Sequence, residues 1–184
     1  MLLIGCLQGV TSAQSSLKCK VGEVKSRLLE SPQFRDSYQK RWTPQDWLEL
    51  ECEMRWKERG REMPAFLDQV RITWYVIGRR TKELVQSEVR YKNVLMGRDY
   101  RYSCYLSPSD FMRLTKSVKP REGDVLRFGG EVFCGAHKVQ EFTSAGEIGW
   151  WKKVRKRSAQ VTLLSKAETP FRDFWWDSYA EAGE

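Results

Sequence analysis

The sequence predicts a mainly β protein, an antiparallel β-sandwich with one short helix and a C-terminal aromatic segment. Apolar and polar residues alternate along several short segments, turn residues separate these segments, and strands do not alternate with long helices as they do in parallel sheets. The chain has 184 residues, of which 41% are hydrophobic, and this suffices for one domain with a buried core.

The clearest strand pattern runs from Trp47 to Trp56, where apolar residues alternate with charged ones. Successive side chains of a strand point to opposite faces, so one face is expected to be buried and the other, with Glu49 and Glu51, to face water. Residues 70–78 repeat the pattern after a polar loop, and the two strands together suggest a hairpin.

Two strands and a helix are predicted next. Residues 83–96 are rich in valine and tyrosine and indicate a third strand, and residues 100–106 indicate a fourth after a turn. Ser107 can then cap a short helix in which Pro108 takes the first position.

Three more strands are predicted towards the C-terminus, over residues 125–134, 137–143 and 160–164. Gly129 and Gly130 interrupt the first of them and mark either a β-bulge or a close approach of another part of the chain.

The N-terminal region is interpreted as a truncated signal peptide, residues 1–13, followed by the sandwich domain, residues 14–165, and the aromatic segment, residues 166–184. An apolar run ends in Thr11-Ser12-Ala13, a pattern of small residues typical of signal-peptidase sites, and this run is far shorter than the ~20 residues of a membrane span. A lipid-modified Cys6 and a buried N-terminal strand in a cytosolic protein are the alternatives. Residues 21–29 fit an edge strand or a short helix equally well.

The number of cysteines in the mature chain depends on whether the protein is exported and its signal peptide removed. Cleavage after residue 13 leaves an even set of four cysteines that is compatible with two disulfides, and Cys52 with Cys104 is the expected pair. Free, buried thiols are the alternative. The candidate disulfide cysteines are Cys19, Cys52, Cys104 and Cys134.

No catalytic residue, cofactor site or metal site is predicted. Histidine, the most versatile acid and base, occurs once, at His137, and the sequence has no G-x-S-x-G, no phosphate-binding glycine loop and no C-x-x-C. The sequence therefore predicts a protein that is not an enzyme.

The net charge of +8 is densest directly after two tryptophans. Basic groups beside aromatic rings are suited to tracking phosphates and stacking on bases, and equally to binding anionic lipid, lipopolysaccharide or sulfated glycan. A solvated loop next to core tryptophans is the alternative. The candidate polyanion patch comprises Trp150, Trp151, Lys152, Lys153, Arg155, Lys156 and Arg157.

Four aromatic residues recur at helical spacing after Thr169-Pro170 and predict an apolar stripe on a short helix. The stripe either packs on the sandwich or contacts a partner, because tryptophan and tyrosine are enriched at interface hot spots. The candidate interface residues are Phe171, Phe174, Trp175 and Tyr179.

A series of short motifs carries a family resemblance through its order and spacing. The motifs are Pro32-Gln33-Phe34, Trp47-Leu48-Glu49-Leu50-Glu51, Leu67-Asp68 leading into Trp74-Tyr75-Val76, Glu88-Val89-Arg90-Tyr91-Lys92-Asn93-Val94, Gly97-Arg98, Tyr105-Leu106-Ser107-Pro108 and Trp150-Trp151. They resemble the small immunoglobulin-like pilus-subunit family of Akkermansia and related Verrucomicrobia. The resemblance implies an immunoglobulin-like β-sandwich, secreted or in the outer membrane, encoded near type IV pilus-like genes and without catalytic residues to transfer.

The sequence and this resemblance together predict a cell-surface or pilus-associated structural and interaction protein, with a periplasmic location as an alternative. The expected partners are pilus or envelope proteins, and strand edges or the C-terminal segment offer a route to a homo-oligomer. The alternative function is a polyanion-binding module that uses residues 150–157 on an anionic glycan, lipopolysaccharide or, less in keeping with export, nucleic acid.

Overall fold

A computed structural model describes residues 17–32, 43–58, 65–175 and 177–183. The predicted signal peptide and Cys6 lie outside the described residues. None of the helices in these ranges has the length and apolar character that a membrane span requires.

Two antiparallel sheets form the sandwich. The first contains β1 (Leu17–Glu30), β2 (Asp46–Glu58), β7 (Asp99–Leu106) and β10 (Leu164–Ser165), in the order β1-β2-β7-β10. The second contains β4 (Val70–Gly78), β5 (Leu84–Lys92), β8 (Val125–Cys134), β9 (His137–Thr143) and β11 (Glu181–Ala182), in the order β11-β5-β4-β8-β9. A small ribbon pairs β3 (Phe66–Leu67) with β6 (Val94–Leu95). The mainly β, sandwich-type prediction is confirmed.

Individual strands follow the predictions with three differences. The strand expected over residues 83–96 is divided between β5 and β6, because Asn93 adopts a left-handed φ of 55° that extended backbone cannot continue. The strand expected over residues 160–164 is reduced to β10. The predicted hairpin is wrong, because β2 pairs with β1 and β7 while β4 pairs with β5 and β8 in the opposite sheet.

The ambiguous segment at residues 21–29 belongs to β1, an edge strand paired with β2 over its whole length apart from an irregularity between Val21 and Val24. The predicted helix is confirmed as α1 (Pro108–Thr115). Ser107 caps it by accepting a hydrogen bond at 3.2 Å from the Asp110 N–H, and Lys116 ends it in the left-handed conformation.

The core lies between the sheets and is rich in large aromatic side chains. Trp56 donates an indole hydrogen bond to the Tyr102 hydroxyl at 3.0 Å, and the Trp74 ring meets the Phe142 ring edge-on, with centroids 5.1 Å apart. The apolar side chains of β2 that were expected to face inward are all buried: Leu48, Leu50, Cys52, Met54 and Trp56.

The outer face of the second sheet is covered as well. Trp151 stacks on Tyr75 of β4, with ring centroids 4.8 Å apart, and Trp150 donates a hydrogen bond to Thr143 Oγ1 at 3.1 Å. A Cβ atom at Gly129 would lie 2.5 Å from the Phe142 carbonyl oxygen and 3.1 Å from the Trp151 ring. Of the two predicted roles of this glycine, the structure shows the close approach.

Replacing this glycine tests the packing of the covering tryptophan. We expect Gly129→Ala to lower the free energy of unfolding by about 1–3 kcal/mol, because the added methyl group meets backbone that cannot move freely. The matched control is Gly123→Ala, where no atom lies within 4 Å of the new Cβ. Chemical denaturation measures both, and equal stability of the two variants would contradict the close approach.

All four predicted disulfide cysteines are free thiols in the structure, three of them buried and Cys134 partly exposed. Cys52 lies opposite Tyr102 and Cys104 opposite Leu50, so the expected pair are diagonal neighbours on β2 and β7. Diagonal Cα atoms are about 7–8 Å apart, and a disulfide spans less than about 7 Å. The pair Cys52–Cys104 is therefore not formed. Burial also raises the pKa of Cys19 to about 12, so its thiol stays protonated.

Thiol labelling provides the corresponding test. We expect protein purified without reductant and then unfolded to be alkylated at Cys19, Cys52, Cys104 and Cys134, as located by peptide mass spectrometry. In the folded protein Cys134 should react first, because only it is partly exposed. Recovery of two of these cysteines as one disulfide-linked peptide would contradict the expectation.

Candidate functional site

The C-terminal strap, which we define as residues 166–180 without Trp176, crosses the outer face of the first sheet. Its ends are held by backbone hydrogen bonds: β10 pairs with β7, and the Arg101 N–H donates to the Ser178 carbonyl at 3.0 Å. The helix predicted here is wrong. A short 3₁₀ turn, Lys166–Glu168, is followed by turns, and Trp175 has a left-handed φ of 50° that interrupts any helix.

The strap divides the candidate interface residues into two pairs. Phe171 and Tyr179 are buried, at 3% and 4% exposure, whereas Phe174 and Trp175 are exposed by 39% and 48%. The Phe171 ring stacks on Tyr105 of β7, with centroids 5.7 Å apart. The first and last of these aromatic residues thus anchor the strap, and the two between them face outward.

Glu49 and Glu51 of β2 lie beneath the strap and are 0% and 2% exposed, so the prediction that they face water is wrong. Glu49 Oε1 accepts hydrogen bonds from the Tyr105 hydroxyl at 2.6 Å and the Tyr179 hydroxyl at 2.9 Å, and its second oxygen accepts from Arg27 Nε. Strand alternation was assigned correctly, but a later segment of the chain covers this face.

Glu51 completes the cluster. Its Oε2 lies 3.1 Å from the Arg27 guanidinium and 2.9 Å from the Tyr179 hydroxyl, which donates to one carboxylate at a time. Its other oxygen faces Lys25 at 3.6 Å and Arg101 at 3.7 Å. Burial and the neighbouring Glu49 charge raise the pKa of Tyr179, so this hydroxyl remains a donor.

Lys166 fixes the path of the strap from inside. Its ammonium group donates to the Arg172 carbonyl at 3.2 Å and to the Phe174 carbonyl, and it lies 4.9 Å from the centre of the Tyr179 ring. Burial lowers the pKa of Lys166. These bonds satisfy carbonyl groups that a helix would have satisfied internally.

The arrangement holds β1, β2, β7 and the strap together. The carboxylate oxygens of the acidic pair are occupied by donors from these elements, so the cluster acts as a polar clamp. No site role was predicted for Arg27, Tyr105 or Lys166. The pairing of β1 with β2 places Arg27 opposite Glu49, and this register is a result of the fold for which the sequence carries no local signal.

The candidate polyanion patch combines buried aromatic rings with exposed basic side chains. Trp150 and Trp151 are each 2% exposed, which agrees with the alternative of core tryptophans and leaves no ring for stacking on a ligand. Several of its basic groups face carboxylates: Lys152 with Glu141 at 3.2 Å, Lys153 with Glu147 at 2.9 Å and Lys156 with Glu83 at 2.9 Å.

Removing one hydroxyl from the polar clamp tests its contribution. We expect Tyr179→Phe to lower the free energy of unfolding by about 1–3 kcal/mol, because two buried carboxylates lose a shared donor. The control is Tyr100→Phe on β7, whose hydroxyl makes no hydrogen bond to a described residue and whose loss should cost less than about 0.5 kcal/mol. Thermal and chemical denaturation compare them, and a Tyr179→Phe variant as stable as the control would contradict the clamp.

A family model matches residues 10–184. No curated protein matches the chain. A crystal structure of a protein from Akkermansia muciniphila superimposes with a TM-score of 0.80 at 23% sequence identity, covering 93% of this chain and 95% of the other. That likeness establishes the fold, and the family match spans nearly all of the sequence. The chain therefore belongs to the small immunoglobulin-like pilus-subunit family of Akkermansia and related Verrucomicrobia that its motifs resemble.

Proposed function

We propose that this protein is a structural and interaction component of the cell surface, associated with pili, and not an enzyme. The observation that carries the proposal is the family match over residues 10–184. The site geometry supports it, because the buried acidic pair is engaged in holding the strap. Within the described ranges no three His, Cys, Asp or Glu side chains are grouped as metal ligands would be.

The exposed half of the strap is the proposed contact surface for a pilus or envelope protein. Phe174 and Trp175 lie side by side, with ring centroids 5.7 Å apart. The left-handed backbone of Trp175 is costly for a bulky residue, and it is maintained by the Ser178 N–H donating to the Trp175 carbonyl at 3.0 Å and by Lys166 holding the preceding carbonyl. A rigid aromatic pair loses little conformational entropy on binding.

The edge strand β1 is the proposed route to a homo-oligomer. It pairs with β2 on one side only, and in the first sheet no described strand lies beyond it. Side chains occupy parts of the outer edge: Gln140 donates to the Cys19 carbonyl at 3.4 Å, and Glu122 accepts from the Leu28 N–H at 2.9 Å. An added strand would have to use the stretch between these two points.

The polyanion-binding alternative has weaker support at residues 150–157. Its aromatic component is buried, and three of its lysines face carboxylates. Exposed ion pairs of this kind are screened by salt and break readily, so they reduce the positive potential of the run without abolishing it. Among the described residues, Arg155 and Arg157 form no salt bridge with a carboxylate, and Arg157 donates a hydrogen bond to Gln86 Oε1 at 2.7 Å.

Localisation and crosslinking in the native organism test the proposal. We expect antibody detection to place the protein at the cell surface, and crosslinking there to capture a pilus or envelope protein. Replacing Phe174 and Trp175 with serine should abolish the crosslink, because the exposed aromatic pair supplies the apolar contact. Recovery of the protein in the cytosolic fraction would contradict the proposal.

The matched control for this experiment is Ile148→Ser. Ile148 is an exposed apolar residue, at 57% exposure, that lies outside the strap. Its variant should retain the crosslink. Both variants should unfold in one cooperative transition, which shows that loss of the crosslink does not reflect loss of the fold. Equal loss of crosslinking in both variants would argue against the strap as the contact surface.

A further inference from the structure

Three loops that are distant in sequence meet at one end of the sandwich. We call this surface the basic end and define it as residues 79–83, 116–124 and 155–158. The Arg79 N–H donates to the Asp124 carbonyl at 2.8 Å, which joins the first loop to the second. The Leu84 N–H donates to the Lys156 carbonyl at 2.9 Å, which joins the first loop to the third.

The helix α1 supports the same surface from below. Thr81 Oγ1 donates to the Leu114 carbonyl at 2.9 Å, so the turn between β4 and β5 sits on the C-terminal end of α1. Lys116 follows directly and lies close enough to influence the Glu83 carboxylate. The second loop continues from that residue, and the three loops therefore form one continuous face.

This face has a large excess of positive charge. Its loops contain nine basic and three acidic side chains, against a net charge of +8 for the whole chain. Two of the acidic groups are engaged by backbone: Glu122 accepts from the Leu28 N–H and Asp124 from the Arg121 N–H, both at 2.9 Å. Glu83 pairs with Lys156. Among the described residues, Arg80, Lys82 and Lys119 form no salt bridge.

The second loop also carries an exposed apolar side chain. Val118, between Lys116 and Lys119 in the sequence, is 87% exposed, and Met112 on α1, six residues earlier, is 37% exposed. The three loops contain no aromatic residue that could stack on a base or a sugar ring. Basic groups on the same face as an exposed aliphatic residue match the boundary between phosphate headgroups and acyl chains.

We propose that the basic end docks on an anionic phospholipid surface, with Arg80, Lys82 and Lys119 facing headgroup phosphates and Val118 entering the headgroup region. Nucleic acid and sulfated glycan fit less well, because proteins bind them by aromatic stacking or in extended grooves. These polymers also provide no apolar region for an isolated valine side chain. This inference rests on the charge and exposure of the three loops and is independent of pilus association.

Vesicle flotation tests the proposal. The protein is mixed with phosphatidylcholine vesicles with or without one quarter phosphatidylglycerol, at low and at high salt. We expect binding only to the anionic vesicles, and weaker binding as salt rises. The triple variant Arg80→Gln, Lys82→Gln, Lys119→Gln should bind about 100-fold more weakly, since each basic residue near such a surface contributes roughly fivefold.

The matched control neutralises three lysines at the opposite end of the sandwich, Lys18, Lys20 and Lys57, all exposed and changed to glutamine. It has the same net charge as the first variant and should keep most of the binding. Val118→Ser should weaken binding while leaving the salt dependence unchanged. Unchanged melting curves show that every variant is folded.

Three results would overturn the proposal. Equal loss in the two triple variants would mean that net charge, and not the basic end, drives binding. Absence of parent binding to anionic vesicles at low salt would remove the membrane surface altogether. Retention on heparin or DNA without vesicle binding would assign the same charge to a different polyanion.

Discussion

Burial of two carboxylates on the outer face of a sheet is the constraint on which much of this structure depends. Glu49 and Glu51 are excluded from water, and an unpaired buried charge would cost several kcal/mol. Arg27 from β1 and Tyr179 from the strap supply the compensating donors. The acidic pair therefore requires the edge strand and the C-terminal strap to be in place together, and it couples the two ends of the described chain to the centre of the first sheet.

The outer face of the second sheet is covered by apolar groups. Trp151 lies flat on Tyr75, and Gly129 leaves the space that the indole requires. The sandwich therefore has a core between its two sheets. A smaller packed layer lies outside each sheet: the strap on the first and the segment with Trp150 and Trp151 on the second. Segments that a sequence pattern shows as tails or loops are in this protein parts of the packed structure.

The segments that cover the outer sheet faces also determine which side chains remain exposed. Phe174 and Trp175 project from the strap because Phe171 and Tyr179 hold it down, so two anchoring residues flank the pair that is proposed to contact a partner. The basic end arises differently, since three loops converge where the strands of both sheets terminate. The two proposed contact surfaces are thus built by separate parts of the fold.

The sequence by itself determined the fold class, the long strands, the capped helix and the apolar side of β2, because these follow from local periodicity and turn chemistry. Tertiary structure alone decided which faces are covered. Alternation correctly placed Glu49 on the other face of β2 from Leu48 and Leu50. That face is excluded from water only because Tyr179, 130 residues later in the chain, contacts it. In the same way the run Lys152–Arg157 was visible in the sequence, whereas the position of its last part beside the turn between β4 and β5 depends on loop packing. Long-range contacts of this kind leave no periodic signal in the sequence. The distance along the chain between the two contacting segments has no fixed value, because it depends on the fold of the residues between them.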